Sequence, residues 1–223
     1  MCMLLCGALK SYGQKPIRGH FESMITTSVF APTISYAPRW NLGYIRRINE
    51  HYWLGVDLGY GSQNTAVNFA EDGDWITQDY KLYEIRPEVY YDLRPQSKLK
   101  HLVSAELFYI HHTDQFSNSW LFELDENKHY KYDRADYKRR KYGVNFNYSL
   151  LYNITENLAL MQKIGVGFRI RNVAYTNIIN KSEDPYYEGS EGFLIPSTDG
   201  YLKDNGAQLG FNFNLDFKLI YKF

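Results

Sequence analysis

Four groupings along this 223-residue chain have residue types and spacings that could do chemistry or bind a charged partner. His111 and His112, with Asp114 two positions on, offer imidazole and carboxylate donors for a metal or a haem. Adjacent residues of a strand point to opposite faces, so these histidines cannot easily share one ion and read as interfacial or loop residues. A hydrolase needs a serine close to a histidine, and the available pairs are His112 with Ser117 or Ser119, and His20 with Ser23. Glu84 and Glu88 are a paired-carboxylate option for acid–base work, better explained by charge pairing with the basic residues described below. The densest basic run is Lys138-Arg139-Arg140-Lys141, with Lys131 and Arg134 upstream. Nucleic acid is the reflex reading of such a run. Lys+Arg equals Asp+Glu at 25 each, however, and no global charge bias supports it.

What must position these groups is a set of strands. Gln208 to Phe223 alternates strictly, with Leu209, Phe211, Phe213, Leu215, Phe217, Leu219, Tyr221 and Phe223 on one face and mostly small or polar residues on the other. Sixteen residues of period two far exceed an ordinary soluble strand, and the dry face is too rich in Phe and Leu for water. The same alternation recurs over 34–48, 52–61, 79–94, 102–112, 141–152 and 158–171, with a first strand in 18–31. Pro87 falls on the outward register of its strand, where its missing N–H calls for a bulge. Tight turns near Asn49, Gln96 and Glu156 interleave with long polar stretches at 68–78, 114–136 and 177–205, and the flanks of 114–136 are expected to continue as strands above the bilayer. The expected fold is all-β, an antiparallel up-and-down transmembrane β-barrel of eight strands, with short turns at one end and long loops at the other. No apolar run approaches the ~18 residues of a membrane-spanning helix. Mean hydropathy is negative, as it must be when only alternate residues meet lipid. The aromatic fraction is 17%, with 21 Tyr, a side chain suited to membrane interfaces.

A single domain, 14–223, follows a short apolar run, Met1 to Leu9. With Ser11-Tyr12-Gly13 behind it, that run reads as a signal peptide over 1–13, cleaved before Gln14, although a basic n-region is missing. Cys2 and Cys6, the two cysteines of the chain, both fall inside it.

The terminal Leu215, Phe217, Leu219, Tyr221 and Phe223, and the strand–turn–strand unit from Arg39 to Gly61, resemble small eight-stranded outer-membrane barrels. The likeness is to the OmpA transmembrane domain and OmpX, and in flavour to Bacteroidota outer-membrane barrel families of unassigned function. The resemblance implies a bacterial outer-membrane location. It also implies that the alternating ending with Phe223 is the signal read by the barrel-assembly machinery. In an outer leaflet, Lys138, Arg139, Arg140 and Lys141 would meet lipopolysaccharide phosphates, whose geometry suits guanidinium forks. The competing reading is a solvated flank balanced by Asp133 and Asp136. Outer-membrane lipid A deacylases carry His and Ser two apart on one strand, a spacing that does not occur here.

Strand register then sends Asp57, Glu84, Glu88, Glu106 and Asp216, with Arg39, Arg86, Lys163, Arg169 and Lys218, into the lumen. An eight-stranded barrel is just wide enough for side chains to fill, and buried charges must pair. The expectation is a sealed polar interior with a structural or surface-interaction role through the long loops. No catalytic site, metal or cofactor is expected, and the protein is expected to be a monomer or a subunit of an envelope complex. A narrow small-solute channel, an accessory subunit of an envelope transport or secretion complex, and a lipid hydrolase are the alternatives.

Overall fold

A computed structural model of the chain describes residues 23–33, 35, 37–65, 79–184 and 202–223. The proposed signal segment, His20 and the acidic stretch 68–78 lie outside them. Alternation becomes structure directly: β1 (Ser23–Ser28), β2 (Trp40–Arg47), β3 (Tyr52–Ser62), β4 (Lys81–Asp92), β5 (Lys100–Glu123), β6 (Lys128–Asn153), β7 (Leu158–Ile179) and a last long strand, Asp204–Lys222. A two-residue strand, β8 (Ser182–Glu183), precedes that last strand, β9. A single helical turn, α1 (Phe30–Thr33), follows β1.

Each long strand pairs antiparallel with its neighbour, and β1 returns to β9 with Ile25 opposite Tyr221. The sheet therefore closes into an up-and-down barrel of eight strands, as the patterning predicts. At the Asn49 turn the Asn49 side chain accepts the N–H groups of His51 (2.9 Å) and Tyr52 (2.8 Å), which sets the hairpin. Pro87 is handled differently from the expected bulge. The β4–β5 ladder lapses between Ile85–Tyr109 and Glu88–Glu106 with the register kept.

The barrel is apolar outside. Leu209, Phe211 and Phe213 are 77%, 79% and 64% exposed, and the outward Leu54, Leu58, Leu107, Phe146, Val166 and Phe168 continue the band. Tyrosines bound it: Tyr52 stacks edge-on with Tyr91 at the short-turn end, and Tyr60 lies 5.4 Å from Tyr83 at the other. Tyr52 and Tyr60 are eight residues apart, about 27 Å along the strand. A ~40° tilt reduces this to roughly 21 Å of height, close to the ~25 Å lipid-facing band of outer-membrane barrels.

At the long-loop end the strand flanks expected within 114–136 extend almost through it: β5 and β6 stay paired up to Glu123 and Lys128, well above the band, and the loop shrinks to the turn at 124–127. β5 bends at Asn118, whose φ is +49°, and β7 at Asn177, whose φ is +52°. Asparagine tolerates this left-handed backbone. At the second bend the β6–β7 register slips between Arg134 and Asp136, and such irregularities increase strand bending. The tall wall thus curls until Phe122 and Glu123 of β5 pair in parallel with Asp204 and Asn205 of β9. Strands β5, β6, β7 and β9 form a second, narrower enclosure above the barrel. Its interior is Leu121, Tyr132, Ala135, Tyr137, Val173 and Tyr175.

Candidate functional site

The lumen is filled in storeys. At the short-turn end, Met24, Ile45, Trp53, Tyr90, Leu102, Leu151, Ala159, Met161 and Ile220 make an apolar floor. Above it the inward-facing charges meet as the strand register implies. Glu84 is bound by Arg39 and by Arg86 Nε (2.6 Å), and accepts the Asn41 amide at 2.9 Å. Arg86 reaches on to Glu106 (2.8 Å), and Glu106 to Lys163 (3.1 Å). Lys163 also binds Glu88, which accepts from Tyr90 Oη (2.6 Å), Ser104 Oγ (2.5 Å) and Asn147 Nδ2 (3.1 Å). Arg39–Glu84–Arg86–Glu106–Lys163–Glu88 is one chain of alternating sign across the lumen. Every carboxylate in it is at most 1% exposed at its side chain. Removing one partner from such a buried pair costs about 3–5 kcal/mol, because a charge is left without compensation.

Lys218 and Asp57 form a separate pair, with Thr26 Oγ1 donating to Asp57 at 3.2 Å. Asp216 accepts from Ser28 Oγ at 2.5 Å. It stands opposite Lys163 in the β7–β9 ladder, while the Lys163 ammonium turns across the lumen to Glu88 and Glu106. Arg169 sits a storey higher, beside Gly210.

Above the chain come Ala37, Tyr80, Leu82, Phe108 and Ile110. Phe108 and Ile110 break the polar alternation of β5 for this reason: they pack an inner apolar layer. Arg86 and Lys141 each lie 5.4 Å from the Phe108 ring, within cation–π range. His112 is enclosed by Tyr80 and Tyr137, with Asp114 3.8 Å away. Arg171 binds Asp204 at 3.2 Å, tying the barrel mouth to the start of β9.

The basic run is not one patch, which corrects the expected grouping. Lys138 and Arg140 are exposed on the outer wall, whereas Arg139 and Lys141 are buried and face inward. The reason is the period of the strand: four successive residues divide two and two. The same rule separates His111, half-buried on the outer wall, from His112, which is 3% exposed inside. No metal-binding group of three or more His, Cys, Asp or Glu occurs among the described residues. Ser117 and Ser119 lie five and seven residues up the strand from His112, about 17 and 24 Å along it, so no Ser–His pair forms there.

Of the terminal residues, Leu215, Leu219, Tyr221 and Phe223 are exposed on the outer face. Phe217 is half-covered by Phe30 of α1, with ring centroids 6.1 Å apart. Missed by sequence reasoning were the inward roles of Arg139 and Lys141, the inner apolar layers and the upper enclosure. Extending strict alternation from β6 upward through the basic run would have found the first of these.

Outside the barrel, among the residues above the band, Asp136 accepts the amides of Asn177 (2.6 Å) and Gln115 (2.7 Å). These bonds hold its carboxyl below the usual range. Tyr130 donates to Glu126 at 2.5 Å, and that bond pushes its hydroxyl up to about 12.

No protein-family model and no curated protein sequence matches the chain. Among solved structures, a major outer membrane protein from Thermus thermophilus superposes with a TM-score of 0.43 at 13% identity. It covers 90% of this chain and 98% of that one. Acinetobacter baumannii CarO superposes at 0.42 and 8% identity, covering 90% and 96%. Acinetobacter baumannii CarO2 gives 0.38 at 8%, covering 91% and 98%.

Proposed function

We propose that this chain is a bacterial outer-membrane β-barrel whose sealed interior serves a structural or surface-interaction role through its long-loop end. The observation that carries this reading is the inversion of a soluble barrel. The outer wall is a continuous apolar band bounded by tyrosines, and the inner wall holds charges that are paired with one another. The floor residues and the carboxylates of the ion chain are almost wholly buried inside the barrel, which favours a sealed barrel over a small-solute channel. The likeness to OmpA- and OmpX-type barrels and a non-enzymatic role are parts of the same proposal.

Two measurements test it. On a gel, the protein from the membrane fraction should migrate differently before and after boiling, and a protein soluble without detergent and lacking this shift would overturn the location. In planar bilayers, the folded protein should give no resolved current steps. Clear single-channel steps would replace the sealed reading with the channel.

A further inference from the structure

Two hollows lie one above the other on the outer wall of β4, β5 and β6, and they differ in character. The lower one, about 650 Å³, is set in the apolar band. It follows a single ladder row: Val89, Ala105, Phe146, Val166 and Phe213. Ala105 has the smallest side chain of that row, so the wall is recessed between Val89 and Phe146. The upper one, about 530 Å³, is polar and includes Lys81, Lys138 and Arg134.

Ladder rows place the two closely enough to relate them. Tyr83, His111, Arg140 and Asn172 form one row at the upper edge of the tyrosine girdle. Lys81, Thr113, Lys138 and Ala174 form the next row up. Lys81, Lys138 and Arg140 are exposed and His111 is half-buried, so these two rows make a basic shelf directly over the band. Of the acids of the upper hollow, Asp114 faces inward, whereas Asp79 and Asp136 lie on the outer side, beyond the two basic rows. Asp136 stands a row higher, with its carboxylate already bound by Gln115 and Asn177. Asp79 precedes Lys81 by two residues, and Asp114 is buried. Lys81 and Lys138 lie two strand spacings apart, about 10 Å. Arg140 to Phe146 is about 20 Å along β6. A shelf at the edge of the hydrocarbon therefore puts the recess inside it.

We propose that this face seats one molecule of a phosphorylated acyl glycolipid of the outer leaflet, of the lipid A type. Its phosphates lie on Lys81, Lys138 and Arg140, and one acyl chain lies in the recess over Ala105. Cations spread over about 10 Å suit a headgroup bearing more than one phosphate, and the guanidinium and ammonium groups suit its geometry. The proposal rests on the outer-membrane reading above, because the shelf has this meaning only if the band lies in lipid.

Native mass spectrometry of the full chain, folded in detergent, tests the seat with three added lipids. They are bisphosphorylated lipid A, its dephosphorylated counterpart and phosphatidylglycerol. One complex with the bisphosphorylated lipid is expected, about tenfold tighter than with either of the others. The Lys81→Gln/Lys138→Gln/Arg140→Gln variant should lose about that factor, and Ala105→Leu should weaken all acyl lipids while keeping their order. Both substitutions sit on the exposed outer face, and the boiling-dependent gel shift verifies that each variant is folded; Lys138→Gln alone serves if the triple variant is not. Undiminished binding by a folded shelf variant, or phosphatidylglycerol binding as tightly, would overturn the glycolipid assignment. An unchanged Ala105→Leu would remove the acyl seat. Loss of the gel shift in the unaltered protein would instead count against the outer-membrane reading.

Discussion

The ammonium of Lys163, on β7, lies 3.1 Å from the carboxylate of Glu106, on β5, across a lumen that no backbone ladder bridges between them. Glu88 holds the same ammonium from β4. One lysine thus ties three strands together through the barrel interior, and its removal leaves two carboxylates facing each other.

Replacement of Lys163 by Met should cost about 3–5 kcal/mol, the magnitude for orphaning a buried charge. The urea midpoint of the detergent-folded protein measures the loss. Adding Glu88→Gln to that variant should recover part of it, since Glu106 keeps Arg86. Independent, additive losses for the two changes would contradict the shared ion chain.

Gly43 and Gly210 should respond differently to alanine. A methyl at Gly43 would overlap Asp57 Oδ1 and Thr26 Oγ1, both held in a buried network. At Gly210 the nearest atom would be Arg169 Nε at 3.6 Å, an ordinary contact. Gly43→Ala should therefore destabilise by about 1–3 kcal/mol, the range for overpacking, while Gly210→Ala should leave the midpoint within experimental error.

The bend at Asn118 predicts a dependence on the left-handed backbone. Asn118→Gly should be tolerated, whereas Asn118→Val should cost about 1–3 kcal/mol at that residue, because a β-branched side chain resists positive φ. The readout is limited proteolysis of the 114–136 hairpin, which should be cut faster only in the valine variant.

Closure of the upper enclosure is directly testable. Glu123 and Asn205 are partners in the β5–β9 ladder, and Asn205 Nδ2 donates to Glu123 Oε2 at 2.6 Å. Cysteines at the two positions should cross-link on mild oxidation, giving a faster-migrating band that reductant removes. Failure to cross-link in the folded protein would mean that β5 does not reach β9.

Much of the barrel was legible because period two is a local property. Leu209 to Phe223 could be assigned to one face from spacing alone, and so could Asp57, Glu88, Lys163 and Lys218 to the other. The misreadings share a cause: local polarity was given precedence over period. Lys138 to Lys141 looked like one basic patch, and the middle of 114–136 like a loop between two strand flanks, because both are polar; the ladder continues through them and divides their residues between two faces.

Spacing along each strand was enough to say which side chains leave the barrel and which enter it, where the hairpins turn, and that the outer wall is apolar. These follow from one strand at a time. Which charges meet is a property of the closed barrel, because Lys163 reaches Glu88 and Glu106 across the lumen in preference to its ladder partner Asp216. Closure also gathers the inward residues near the short turns into an apolar floor, and it brings β5 around to β9 over the mouth. Each of these depends on the curvature of eight strands together, and no single strand's spacing carries that information.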